Sequence, residues 1–125
     1  SIRDLLSPSG EERTLIRQEE QQLYEYDEYK LQIRRLDFGK KRGIYEFSTY
    51  DPETKDTPPS WGLHPYAEVG VILEGKMEVN LDGTVYLLGP GDSIYIKPNL
   101  YHTMRNAGDT PCRSFWHLQI MDDSV

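Results

Sequence analysis

The feature that most constrains the fold is a run of short apolar segments, separated by turn sequences, in the second half of the chain. Residues 76–81 alternate apolar and polar side chains, which is the pattern of a strand with one buried face. Asp82-Gly83 predicts a two-residue hairpin turn, and residues 84–88 form the returning strand. Similar turn signals recur at 89–92 and at Pro98-Asn99. This spacing predicts about eight short strands in an all-β sandwich or barrel.

The first half of the chain is less regular. Residues 1–6 predict the end of a helix, which the sequence SPSG at 7–10 terminates. Residues 11–22 are charged and rich in Gln, and both a helix and a solvated edge strand fit them. Two strands and a long Pro-rich loop, of a length typical of binding loops or lids, follow at 30–36, 44–50 and 51–63.

The net charge of −7 argues against nucleic-acid binding by this part of the protein, because phosphate contacts need a clustered positive surface. The one basic cluster comprises Arg34-Arg35 and residues 40–42. Acidic residues that include Asp37 and Glu46 lie near it in sequence. We therefore interpret this cluster as a solvated strand edge and loop.

The length of 125 residues fits one domain with its own core. Cys112 is the single cysteine, which excludes an internal disulfide and fits a reducing compartment. The sequence has no signal-peptide pattern, and no apolar run approaches the ~20 residues needed to cross a bilayer. We therefore expect a cytoplasmic protein with no membrane contact. Since the chain begins at Ser1 rather than Met, we also expect it to be part of a longer protein.

Three residues of the types that bind divalent metals lie in the regular region: His64, Glu68 and His102. On a strand, residues at an even offset point to one face, so His64, Tyr66 and Glu68 share a face, as do His102 and Met104. Two imidazoles and one carboxylate on one side of an ion leave positions open opposite them, as in Fe(II) sites. The spacing alone also fits surface or hydrogen-bonded residues.

The residues from position 62 onward carry two spaced motifs that resemble those of the cupin superfamily. The first family motif has a His-x-His pair, a Glu, and a Gly after six further residues. Here it reads GLHPYAE, then VGVILE and Gly75. The first metal-binding His of the family corresponds to Gly62, so three of the four usual ligands remain. The resemblance implies that His64, Glu68 and His102 are those ligands.

The second family motif has a Gly, five residues, Pro-x-Gly, two residues, a His, three residues and an Asn. Gly91, His102 and Asn106 match it, whereas Lys97 and Asn99 replace the Pro and the second Gly. Two motifs at this separation make the resemblance specific for the fold.

The resemblance implies a cupin double-stranded β-helix, which is a jelly-roll barrel of antiparallel strands, here with a short N-terminal helical tail. The cupin domain then covers residues 11–125, and residues 1–10 are the tail of a preceding helical domain or a linker. The cofactor implied is one divalent metal ion, namely Fe, Zn, Mn or Ni. The alternative is a pocket without metal in which His102 only forms hydrogen bonds. The pocket is expected to include Gly62, Tyr66, Tyr95, Met104 and Trp116.

Within the superfamily, the sequence is most similar to the C-terminal sensor domains of Xre-type helix-turn-helix transcriptional regulators. The segments EVGVILEG at 68–75 and LGPGDSIYI at 88–96 carry this similarity, and SIRDLL at 1–6 resembles the end of the preceding helical domain. The resemblance implies a small-molecule effector that enters the barrel and biases DNA binding by an N-terminal domain.

We expect a homodimer, and strand parity is compatible with one. If Glu68 faces the pocket, then Val69, Val71 and Leu73 face outward, where the N-terminal segment or a second subunit must cover them.

Two alternatives to the sensor remain. One is a mononuclear metal-dependent enzyme of the dioxygenase, epoxidase or isomerase type, because an epoxidase family joins a similar helical region to a cupin with a His-x-x-x-Glu…His site. The other is a metal-free dimerisation scaffold. We favour the sensor because no second general base or nucleophile stands out near the motifs.

Overall fold

The computed structural model describes residues 12–39, 41–52, 56–58 and 61–120. Nine strands lie in these ranges, and all their pairings are antiparallel. They are β1 Gln22–Tyr26, β2 Leu31–Asp37, β3 Ile44–Tyr50, β4 Glu68–Glu74, β5 Met77–Leu81, β6 Thr84–Leu88, β7 Ser93–Ile96, β8 His102–Asn106 and β9 Cys112–Leu118. The helical elements among the described residues are single 3-10 turns at Gln18–Glu20 and Asp27–Tyr29. The predicted all-β fold is confirmed.

The strands form two sheets that face each other. Six strands pair in the order β1-β2-β3-β9-β4-β7, and three pair in the order β6-β5-β8. Both sheets supply the core, in which Ile44, Ile72 and Leu118 of the larger sheet cluster with Met77 and Val79 of the smaller one. The alternation predicted for residues 76–81 is therefore confirmed, since Met77 and Val79 are fully buried.

The predicted turns adopt the required backbone. Asp82 and Gly83 both have positive φ, at 48° and 95°, as a hairpin turn compatible with the right-handed twist of the strands demands. Asn99 also has a positive φ of 59°, as expected where Asn replaces Gly.

Asn106, the last residue of β8, ties the two sheets together. Its Nδ2 donates to the carbonyl of Tyr50 on β3 at 2.9 Å and to that of Thr110 at 2.8 Å. Its Oδ1 accepts from the amide of Gly108 at 2.8 Å. Each of these groups is thereby satisfied inside the fold, and the turn into β9 is fixed.

The helix predicted at residues 1–6 lies outside the described residues. Of residues 11–22, the described part is irregular chain with one 3-10 turn, and the edge strand β1 begins at Gln22. In the part of the chain that the structure describes, no helix has the length and apolar character to cross a membrane.

Candidate metal centre and cavity

The fold brings His64, Glu68 and His102 together. His64 lies in the loop that leads into β4, Glu68 is the first residue of β4, and His102 is the first residue of β8. Their ligand atoms all lie within 4.8 Å of one another. Each Nε2 is 3.4 Å from a different oxygen of Glu68, Oε1 for His64 and Oε2 for His102. The two imidazole rings are nearly perpendicular, at 82°.

Backbone carbonyls fix the orientation of both rings. Nδ1 of His64 lies 2.8 Å from the carbonyl oxygen of Tyr66, and Nδ1 of His102 lies 2.9 Å from that of Leu100. A carbonyl oxygen can only accept, so each Nδ1 carries a proton, and a ring that is neutral therefore presents its Nε2 lone pair to Glu68. Metal-binding histidines are commonly held in this way.

The donor set fits a divalent cation. His64 is only 8 % exposed, and its Nε2 has no hydrogen-bond partner among the described residues. Two lone pairs and a carboxylate that face one point repel one another unless positive charge lies between them. A metal ion supplies that charge, and so would a proton on Nε2 of His102.

The charges of this cluster shift its acid–base behaviour. Burial alone would raise the pKa of Glu68, but its contacts with Nε2 of His102 and His64, which are favourable when those nitrogens carry protons, outweigh burial and lower the pKa to about 2. Burial alone would lower the pKa of His102, but the hydrogen bond and charge of Glu68 outweigh it and raise that pKa. Glu68 is therefore ionised at neutral pH, as a metal ligand must be.

A cavity of about 690 Å³, including the space at its open mouth, lies beside the cluster. Glu68 and His102 line it, together with four of the residues expected in the pocket: Gly62, Tyr66, Met104 and Trp116. The predicted binding loop contributes to its wall, because the amide of Thr57 donates to the carbonyl of Met104 at 3.2 Å.

The structure places Tyr95 outside this cavity, which corrects the expectation that it lines the pocket. Tyr95 pairs with Val69, so the two point to the face of the sheet opposite Glu68. Its side chain is 54 % exposed. Its neighbour Ile96 takes the inner position instead and is fully buried.

Gly62 stands where the family has its first histidine, and the backbone there leaves no room for a side chain. A Cβ atom built on Gly62 would lie 1.8 Å from the carbonyl oxygen of His102. Contacts below 3.0 Å require the backbone to move, so this close approach accounts for the glycine.

The cavity wall also contains a buried ion pair that the sequence patterns do not predict. Arg35 on β2 and Glu46 on β3 are 5 % and 7 % exposed, so Arg35 is not part of a solvated strand edge as expected. Nε and Nη2 of Arg35 both donate to Oε2 of Glu46, at 3.2 Å and 3.1 Å. Burial outweighs the attraction of Arg35 and raises the pKa of Glu46 to about 7. The alternation of β2 could have predicted this position, since Arg35 lies on the same strand face as Leu31 and Ile33.

The outward face of β4 is partly covered within the described chain. Val69 and Val71 are half-buried, and Leu73 is exposed. Val69 pairs with His117 of β9, whose ring stacks on Tyr45 of β3 at 4.8 Å. His117 therefore lies on the face opposite the metal cluster.

Comparisons with known proteins agree with this fold. The family model described as Cupin domain matches residues 46–118. Polyketide synthase CurC of Streptomyces cyaneus is 39% identical over 56 residues, which are 44% of this chain and 36% of CurC. The matched region thus spans little more than a third of that relative.

Two solved structures are similar over most of the chain. An RmlC-like cupin from Shewanella frigidimarina NCIMB 400 matches with a TM-score of 0.70 and 20% identity, covering 93% of this chain and 99% of that chain. Rru_A2000 from Rhodospirillum rubrum, described as a cupin-2 domain, matches with a TM-score of 0.71 and 18% identity, covering 89% of this chain and 77% of that chain. At these identities the similarity concerns the fold alone.

Proposed function

This chain belongs to the cupin domain family, and on that basis we propose that its barrel binds a small-molecule effector beside a divalent metal held by His64, Glu68 and His102. The observation that carries this proposal is the pair of Nδ1–carbonyl hydrogen bonds, which aim two imidazoles at one ionised carboxylate. A bound metal would supply positive charge and open coordination positions for an oxygen donor of the ligand.

The first test is the metal content of the purified protein after loading with Fe(II), Zn, Mn or Ni. We expect one ion per chain by elemental analysis. His64→Ala, Glu68→Gln and His102→Ala each remove a ligand and should weaken binding more than roughly tenfold. His117→Ala is the matched control, because His117 lies on the opposite sheet face and should leave the metal content unchanged. A metal content equal to that of the wild type in all four variants would contradict the metal site.

We further propose that the domain is the sensor of a transcriptional regulator. The similarity of residues 68–75 and 88–96 to Xre-type sensor domains supports this role. The net charge of −7 is consistent with DNA contacts made by a separate N-terminal domain. The exposed apolar side chains of Leu73 and Tyr95 on the outer face of the large sheet are consistent with a homodimer.

The sensor role predicts that an effector changes DNA affinity. A thermal-shift screen of metabolites on the metal-loaded protein should identify a ligand that raises the melting temperature. The full-length protein should then bind its operator duplex with an affinity that this ligand changes at least fivefold. An operator affinity that no stabilising ligand changes would contradict the sensor role.

A second candidate is a metal-dependent enzyme of the dioxygenase, epoxidase or isomerase type. The observation that favours it is Glu46, a carboxyl in the cavity wall whose pKa of about 7 suits proton transfer near neutral pH. Oxygen consumption or product formation by the Fe(II)-loaded protein would support this role. Turnover that persists unchanged in His102→Ala would exclude the cluster from it.

A further inference from the structure

The buried pair of Arg35 and Glu46 occupies the cavity wall on the inner face of the large sheet. A buried ion pair adds little net stability compared with apolar residues of similar size. A charged pair that lines a cavity is therefore a candidate for ligand recognition, and its hydrogen-bonding groups show what it could bind.

Arg35 has more hydrogen-bond donors than its contact with Glu46 uses. A guanidinium carries five N–H groups, and one from Nε and one from Nη2 point to a single oxygen of Glu46. No residue in the described ranges accepts a hydrogen bond from Nη1 of Arg35. The ring of Tyr24 lies 4.9 Å from its Cζ, so the guanidinium is held between an aromatic face and a carboxylate. The end of the fork that bears Nη1 remains for a second acceptor.

Strand register places this pair on the same inner sheet face as Glu68 of the metal centre, two strands away. On β9, Trp116 pairs with Glu46, and Leu118, two residues further on, pairs with Glu68. Strand spacings of about 4.8 Å and a rise of about 3.4 Å per residue put the Cα atoms of Glu46 and Glu68 roughly 12 Å apart. The wall between and around them is largely aromatic, with Tyr26, Trp61 and Trp116.

The charge of the cavity favours a monoanion. Above about pH 7, where Glu46 is ionised, a bound divalent ion, the carboxylates of Glu46 and Glu68 and the guanidinium of Arg35 together leave one net positive charge. A guanidinium pairs with a carboxylate in the planar geometry that its fork matches, whereas a phosphate dianion exceeds the charge available.

We propose that Arg35 binds the carboxylate of a small organic acid whose apolar or aromatic middle lies against the cavity wall and whose other end reaches the metal centre. Glu46 acts as the positioning residue that holds the guanidinium. This inference rests on the proposed binding of a small molecule in the barrel, and it adds the ligand class and the residue that selects it.

The two tryptophans of the chain, Trp61 and Trp116, both line the cavity, so intrinsic fluorescence reports on its occupancy. The probes are three acids and their neutral amides: benzoate, 3-phenylpropanoate and hexanoate against benzamide, 3-phenylpropanamide and hexanamide. With metal-loaded protein we expect saturable quenching by at least one acid at millimolar concentration. That acid should bind about tenfold more tightly than its amide, because the amide cannot accept a charge-assisted pair of hydrogen bonds.

Variants separate recognition from folding. The double variant Arg35→Met/Glu46→Gln removes both charges together, so that neither is left buried alone. We expect it to bind acid and amide within about twofold of each other, whereas Glu46→Gln alone keeps the preference for the acid. Arg34→Met is the matched control, because Arg34 pairs with Phe47 on the opposite face of the sheet. It should behave as wild type.

Two results would overturn the inference: no saturable binding of any of the three acids, or an acid preference that survives in the double variant. Metal content by elemental analysis is a separate readout. A double variant that retains metal but loses the acid preference supports the role of Arg35. Wild-type protein that binds no metal contradicts the proposed function, whatever the outcome for Arg35.

Discussion

At the scale of single residues, hydrogen bonds to the backbone decide what the candidate centre can bind. The carbonyls of Tyr66 and Leu100 each occupy one Nδ1, so both histidines offer the same nitrogen to the centre. Neither carbonyl follows from the residue types, because any residue at position 66 or 100 would supply one. The backbone path therefore determines the tautomer.

Glu46 should make stability depend on pH. Because burial raises its pKa from 4.5 to about 7, the folded protein binds this proton more tightly than the unfolded chain between those values. The contribution of Glu46 is therefore most favourable below pH 4.5, decreases as pH rises from about 4.5 to 7, and is constant above that. The free energy of unfolding should decrease by about 3 kcal/mol in total over this pH range.

The measurement is the free energy of unfolding in urea at about pH 5 and about pH 8, for wild type and Glu46→Gln. We expect the wild type to lose more stability between these two pH values than the variant does. Identical losses would show that burial does not penalise the Glu46 carboxylate.

At the scale of strands and loops, the close contact between the backbones of Gly62 and His102 positions the loop before β4 against the start of β8. Gly62→Ala would push the chain before β4 away from the first residue of β8, since its Cβ would lie 1.8 Å from the His102 carbonyl oxygen. We expect a loss of about 3 kcal/mol in the free energy of unfolding, together with weaker metal binding. Gly62→His should be destabilised in the same way, because it carries the same Cβ, and it should not restore a fourth metal ligand.

Gly89→Ala is the matched control for this prediction. A Cβ at Gly89 would meet only the Asp92 carboxylate, at 3.9 Å. Its unfolding free energy should stay within about 0.5 kcal/mol of wild type. If Gly62→Ala were as stable as Gly89→Ala, the close approach would be refuted.

Local sequence pattern predicts some of these strands and turns but not others. The alternation of β5 and the Asp82-Gly83 turn follow from local pattern, because apolar positions and a turn with positive φ have few alternatives. Which face each residue of β7 points to does not follow from local pattern, because both Tyr95 and Ile96 are apolar. Only the pairing of Tyr95 with Val69 and of Ile96 with Glu68 assigns them to the outer and inner face. Arg35 and Glu46 were missed because their charges suggest solvent, and their partnership depends on the β2–β3 register.

At the scale of the whole molecule, the candidate metal ligands Glu68 and His102 come from different sheets. Glu68 belongs to the six-stranded sheet and His102 to the three-stranded one, so a metal ion bound by both bridges the sandwich. Binding to the folded state alone stabilises it by about 2.7 kcal/mol when free metal is a hundred times the Kd. For a domain of this size, that corresponds to a rise in Tm of about 10 °C.

Calorimetry with and without metal checks this expectation. The wild type should show the rise in Tm, and a chelator should reverse it. His102→Ala should show almost no rise, because the remaining His64 and Glu68 lie on one side of the barrel. A rise of the same size in His102→Ala would mean that the metal stabilises the fold from another place.

The same division of ligands between the sheets has a consequence for how the protein is made. Glu68 and His102 are 34 positions apart in the sequence, so bringing them together requires the closure of a long loop. A chain that has formed only the segment around β4 has two of the three ligands and holds metal weakly. Tight binding of a metal ion by this cluster would therefore require the closed barrel, so a metal-loaded molecule would be a fully folded one.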